Sequence, residues 1–296
     1  MASDVPALRS NQLASFVFLC ASPFLAIALV AIPALRVPVL HQWIGFAAFA
    51  IFAIAIWMQI GRAIRSPIPE LRLAAIAGTL LVFPFALIAL LWVGLGPPWQ
   101  ASPAENQMRY VVLVVMAAAV VSGSVALTEA LHLAGERYYS TLGFAGIILA
   151  GPLYLVGEAL LIATYTARVR TGQVPEVFVS LSELQDILLF FGGVLTYAAS
   201  GSFAVSLRWA GWLGRGASRA FVGVSLFALV CIVTRGLQFP DPAAMSAPWY
   251  TVPGFIAGIP AVPFVVPCLL GVVSLRRANR EYDGQTLDNL ALDRSR

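Results

Sequence analysis

The sequence predicts an all-α, polytopic membrane helix bundle of about eight transmembrane helices, with both termini cytoplasmic. Three observations carry that prediction. The first is composition. Of the 296 residues 60% are hydrophobic and only 11% are charged, with a mean hydropathy of +0.87. Ordinary globular domains carry about 25% charged residues, and a soluble core could not hide this much apolar surface. The second is patterning. Apolar runs recur at roughly 13–35, 42–60, 73–95, 110–131, 141–166, 181–207, 220–237 and 252–275. Each approaches the length of about 20 residues that a helix needs to cross hydrocarbon. Continuous runs of this kind satisfy their backbones in lipid as helices.

The third observation is arginine placement. Arg9, then Arg62, Arg65 and Arg72, then Arg137, then Arg208, Arg215 and Arg219, and finally Arg276, Arg277 and Arg280 fall on one side of an eight-helix alternation. Arg36, Arg109, Arg168 and Arg170 fall on the other, with Arg235 near it. The positive-inside rule assigns the first side to the cytoplasm. An error of one helix would break the alternation, so the pattern supports the helix count as well.

Taken in order, residues 1–12 are a short polar lead. Ala26-Ile27-Ala28 imitates a signal cleavage site, but the apolar run is too long for a signal peptide and continues past that point, so a retained first helix is expected. The sixth run opens with Glu183 and Asp186 and the seventh ends on Arg235, which makes these two the least regular spans. Three outer stretches are rich in proline and aromatics: Gly96-Pro97-Pro98-Trp99, Phe239-Pro240-Asp241-Pro242 and Pro248-Trp249-Tyr250. Tryptophan and tyrosine favour headgroup depth, so short caps on the outer surface are expected there, with another over 168–180. Pro23, Pro84, Pro152 and Pro263 fall within the spans and permit kinks. Residues 1–275 read as a single transmembrane domain. Residues 276–296 read as a polar, loosely ordered cytoplasmic tail whose first arginines suit anionic lipid heads.

Several chemistries are excluded or disfavoured. All 18 basic residues are arginine. Without lysine there is no Schiff base and no phosphate-binding GxxxxGK[ST] loop. Lysine-free, alanine-rich composition suggests a GC-rich bacterial genome and hence a bacterial cytoplasmic membrane. Cys20, Cys231 and Cys268 lie in apolar runs without CxxC spacing, as buried thiols do. His41 and His132 sit in different segments, so no metal site and no cofactor is expected. Ser202 follows Gly201 but has no histidine suited to serine-protease chemistry. The expected partner is the lipid bilayer, not nucleic acid.

The candidate chemistry centres on Glu158, a carboxyl inside the fifth run. Gly151, Tyr154 and Tyr165 share its helical face. The sixth run has a matching stripe of Glu183, Asp186, Gly193, Tyr197 and Ser200. Orientation places Glu158, Asp186 and Arg235 at similar depth in the outer half. The expectation is a polar cluster of these three with Gln185, Tyr154, Tyr165 and Tyr197 nearby, arginine's planar fork accepting two carboxylates. The simpler expectation is that Asp186 and Arg235 reach the interface and Glu158 bonds to a tyrosine. A second, inner stripe combines Ser122, Thr128 and Glu129, read either as helix packing or as the inner station of a solute path.

Three functions fit. The first is a small-solute or proton-coupled carrier, resting on ionisable groups and prolines within the spans. The second is a non-catalytic subunit or scaffold packed against a membrane protein partner. The third is a lipid-modifying enzyme with Glu158 as acid or base.

Overall fold

The computed structural model describes residues 4–31, 38–61, 63–93, 95, 100–238, 255–259 and 261–294. Every regular element among them is helical. In chain order they are α1 (Asp4–Ala31), α2 (Pro38–Ile60), α3 (Pro69–Leu91), α4 (Pro103–Leu133), α5 (Tyr138–Thr171), α6 (Glu176–Trp209), α7 (Arg215–Gln238), the single turn α8 (Phe255–Gly258) and α9 (Val265–Arg294). Short 3-10 turns occupy Ala63–Arg65 and Val262–Phe264. Among the described residues, eight helical stretches are long and apolar enough to cross a membrane.

Three boundaries differ from the sequence expectation. The stretch 168–180 is mostly helix, because α5 runs to Thr171 and α6 resumes at Glu176. Among the described residues the last span is Val262–Glu281, ending later than the expected 252–275, whose residues 252–254 and 260 lie outside the described ones. The helix then continues through Arg294, where a loose tail was expected. Leu287, Leu290, Ala291 and Leu292 there are good helix formers. An Arg277–Glu281 ion pair one turn apart supports it. The proline- and tryptophan-rich stretches 96–99, 239–242 and 248–250 lie outside the described residues. Pro23, Pro84 and Pro152 sit inside continuous helices, and Pro263 sits in the 3-10 turn that starts the last span.

The chain runs up and down, and sequence neighbours pack on one another. α3 and α9 form the centre. α3 touches α1, α2, α4 and α9, and α9 is the most buried span. α4, α5 and α6 follow in series, and α7 rides on α6 at the edge as the least buried span. Between lipid-facing helices there is no aqueous hydrophobic drive, so close van der Waals approach has to hold them. Glycine supplies it. A Cβ on Gly78 of α3 would lie 2.6 Å from the Gly271 carbonyl oxygen of α9. One on Gly146 of α5 would lie 2.9 Å from the Ala199 methyl of α6. The outward faces are apolar: Trp43, Phe46, Ile54 and Trp57 on α2, and Val224, Phe227 and Val230 on α7.

Side-chain contacts tie the arginine-rich ends together. Gln59 at the end of α2 donates to the Gln12 carbonyl of α1 at 2.6 Å, and Gly61 lies against Asn279 of α9. At the opposite end Gln107 of α4 donates to Thr166 of α5 at 2.8 Å, and Tyr110 stacks on Tyr165 with centroids 5.4 Å apart.

Candidate functional site: two buried carboxyls, one before α5 and one within it

α5 carries the site because its small residues let two neighbours close on it. Gly143 and Gly146 admit Phe203 and Ala199 of α6, Gly151 faces Val121 of α4, and Gly157 faces Leu189 of α6. Glu158 follows directly and is 1% exposed. Among the described residues its Oε2 has no hydrogen-bond partner, and no ion pair there reaches it. Tyr154 lies one turn inward, fully packed, its ring 5.0 Å from that of Phe264 and close against Gly192. Its hydroxyl and Thr196 Oγ1 share a hydrogen bond at 3.2 Å, and Thr196 gives its one proton to the Gly192 carbonyl at 2.8 Å. A cavity of about 10 Å³ adjoins Tyr154 and Thr196, bounded by Gly151, Ile147 and Phe264. That is near the smallest space that can hold one water.

The other residues of the expected cluster have contacts or positions of their own. Tyr197 donates to the Ala257 carbonyl of α8 at 3.0 Å. Tyr165 stacks on Tyr110. Gln185 and Asp186 are half-buried near the start of α6. Arg235 is buried near the end of α7. Among the described residues no ion pair joins Glu158 to Arg235 or to any other cation. The inner stripe divides as well. Thr128 is buried and donates to the Ser124 carbonyl, whereas Ser122 and Glu129 are exposed and Glu129 stands 3.9 Å from His132.

Two groups of polar residues were not singled out from the sequence. Asn106 and Arg109 of α4 are buried, and the Arg109 guanidinium lies 5.2 Å from the Trp92 ring centroid. They continue the helical face of Leu113, Met116 and Val120, so the periodicity of α4 extended outward by two turns would have found them. α4 itself starts on a complete capping box: Ser102 accepts from the Glu105 N–H, Glu105 accepts from the Ser102 N–H, and Pro103 follows the cap.

The second group surrounds Glu136. α4 ends in a Schellman motif: Glu136 N–H reaches the Leu131 carbonyl at 2.9 Å and Gly135 N–H reaches His132 at 3.0 Å. Gly135 has φ +88°, a conformation that favours glycine. The motif delivers Glu136 to the first turn of α5. Arg137, at the cap position, offers no side-chain oxygen. Glu136 does so instead, accepting from Tyr139 N–H at 2.9 Å, Ser140 N–H at 3.1 Å and the Ser206 hydroxyl of α6. Burial alone would raise the pKa of this carboxyl. The Ser206 hydroxyl and the two backbone donors outweigh burial and hold it below the ordinary carboxylate value. The signal was the Gly-Glu pair between two apolar runs, a helix stop followed by an anion for the next helix start.

Among the described residues, eight spans long and apolar enough to cross a membrane, exposed aromatic faces and a glycine-packed core mark a multi-pass membrane protein. Comparison with protein-family models, with curated proteins and with solved structures finds no match to this chain. Among the described residues no three His, Cys, Asp or Glu side chains gather as a metal site, and the free thiols Cys20, Cys231 and Cys268 lie on separate helices.

Proposed function

We propose that the protein is a small-solute or proton-coupled carrier of a bacterial cytoplasmic membrane, and that Glu158 is its working group. The observation that supports this most is a carboxyl 1% exposed within a span, with no hydrogen-bond or ion-pair partner for its Oε2 among the described residues. An ionisable side chain at the bilayer centre costs on the order of 2.5–3.5 kcal/mol on insertion scales, and chains that keep one commonly use it to hold a proton or a solute. Tyr154, one turn inward, has its oxygen fixed by Thr196 beside a water-sized space, so a hydroxyl stands next along the helix from the carboxyl. The arginine distribution supports cytoplasmic termini.

The test is proton movement in vesicles. Purified protein is reconstituted around a pH indicator, a proton gradient is imposed, and small amines, amino acids and organic acids are added in turn. One solute class is expected to draw protons with it, and Glu158→Gln is expected to abolish that movement while the protein stays folded. Unchanged proton movement in Glu158→Gln would sink this assignment of Glu158.

One observation favours the second function, a scaffold or subunit. The cavity beside Tyr154 measures only about 10 Å³, and glycine contacts close the helix interfaces around it. Native mass spectrometry after gentle extraction separates the two. A stoichiometric protein partner supports the subunit, and a lone chain retaining a small polar molecule supports the carrier.

A further inference from the structure

The turn between α4 and α5 opens on a cleft of about 350 Å³, lined by Ala134, Gly135, Glu136, Arg137, Tyr138, Tyr139 and Trp209. It stands at the arginine-rich end of the bundle, where α4 stops at Leu133, α5 begins at Tyr138 and α6 stops at Trp209. Helix ends at that level meet the headgroups of the adjacent leaflet. Tyr138 and Trp209 are 69% and 66% exposed, an orientation that suits aromatic rings at headgroup depth.

The lining carries both signs of charge in adjacent residues. Arg137 is exposed and presents a planar fork that fits a phosphate. Glu136 accepts one hydrogen bond on Oε1 and two on Oε2. A carboxylate has about four acceptor positions, so Oε1 keeps one, and Glu136 is among the residues that line the cleft. Tyr138 and Trp209 add ring faces that attract an ammonium ion. Arg208 sits 5.9 Å from the Trp209 centroid, so that ring already lies beside one cation.

We propose that this cleft binds a phosphate–ammonium zwitterion, the headgroup of an aminophospholipid in the adjacent leaflet. The phosphate sits on Arg137, and the ammonium sits between Glu136 Oε1 and the faces of Tyr138 and Trp209. An anionic glycerol headgroup matches Arg137 equally well but gives the carboxylate and the rings nothing to bind. Preference for the amine-bearing lipid is therefore the specific consequence. This site is independent of the carrier assignment, because it shares no residue with Glu158 and its surroundings.

The test uses the full chain in detergent with phosphatidylethanolamine and phosphatidylglycerol supplied in equal amounts, read by native mass spectrometry. Phosphatidylethanolamine is expected to be retained over phosphatidylglycerol by at least about fivefold, roughly 1 kcal/mol. Arg137→Gln and Trp209→Ala should each bring the two lipids to equal retention, and Arg137→Lys should restore part of the preference. Both side chains are exposed, and an unchanged melting temperature in detergent alone checks that each variant is folded. Equal retention by the unaltered protein, or a preference that survives both variants, would overturn the proposal. Soluble phosphoethanolamine at millimolar concentration separates the sources. Failure to displace the lipid supports a membrane ligand, and full displacement overturns the lipid assignment in favour of a free zwitterion.

Discussion

Two buried carboxyls bracket most of α5, and their surroundings are opposite. Glu136 accepts from two backbone N–H groups and a serine hydroxyl, and its position joins α4, α5 and α6. Glu158 lies deeper, is less exposed, and shows no hydrogen-bond partner for Oε2 among the described residues. A buried polar group that is satisfied holds a structure together, and removing it strands its donors. One that is not satisfied weakens the fold at its position, and the carrier proposal draws on that cost. The same residue type is thus satisfied before the helix begins and left with an unpartnered oxygen further along it.

The sharpest way to break this comparison is to remove both side chains separately. Glu136→Ala leaves the Tyr139 and Ser140 N–H groups and the Ser206 hydroxyl without their acceptor. It is expected to lower stability by at least about 3 kcal/mol, since hydrogen bonds to a charged group contribute roughly 1.5–3 kcal/mol each and water replaces part of the loss at this partly accessible site. Glu158→Leu removes an unsatisfied buried polar group and is expected to raise stability by about 1–3 kcal/mol. Reversible unfolding in mixed micelles measures both. Changes of the same sign would erase the distinction between the two carboxyls.

A smaller effect is expected at the turn that positions Glu136. Gly135→Ala meets nothing within 4 Å, so crowding is absent, but at φ +88° the new Cβ is strained. The expected loss is about 1–2 kcal/mol. The matching glycine at the α6 end, Gly211 at φ +75°, closes the same motif through Trp212 N–H to the Leu207 carbonyl and should respond alike. Full stability in Gly135→Ala would mean that the motif does not fix Glu136.

Acid supplies a third test. The folded-state pKa of Glu136 lies below its unfolded value, which is near 4.3 for glutamate. Its contribution is therefore complete above that value and is lost as pH falls through the folded one. The difference in melting temperature between the unaltered protein and Glu136→Gln should be constant near neutrality and shrink toward zero below about pH 4. A difference that persists in acid would show that the clamp does not depend on the carboxylate charge.

The fold was legible because apolar length and arginine alternation report directly on helices in lipid. Neither depends on which side chains meet. The site was legible only in part for the same reason. Glu158 stands out in the sequence because a carboxyl interrupts an apolar run. Its supposed partners were inferred from depth alone, and depth does not say which face of α6 or α7 Asp186 and Arg235 occupy. Glu136 was overlooked because it sits between spans, where an acidic residue beside Gly135 and Arg137 resembles any polar loop. Its role depends on Ser206, distant in sequence and brought near only by the α5–α6 packing. Arg109 read as a flanking charge because its cover is Trp92, on another helix.

The finest test concerns one of the two pairings that depth suggested, Glu158 with Arg235, which no ion pair shown among the described residues supports. If Glu158 and Arg235 formed an ion pair, Arg235→Gln would strand a buried carboxylate, and adding Glu158→Gln would relieve part of the damage. With no such pair, the two changes act on separate surroundings. Arg235→Gln disturbs the end of α7, Glu158→Gln alters the interior of α5, and their stability effects should add within about 0.5 kcal/mol. A coupling above about 1 kcal/mol would place the guanidinium against the carboxyl. Glu158 would then be a satisfied structural group like Glu136, and the case for its chemistry would rest on proton movement in vesicles alone.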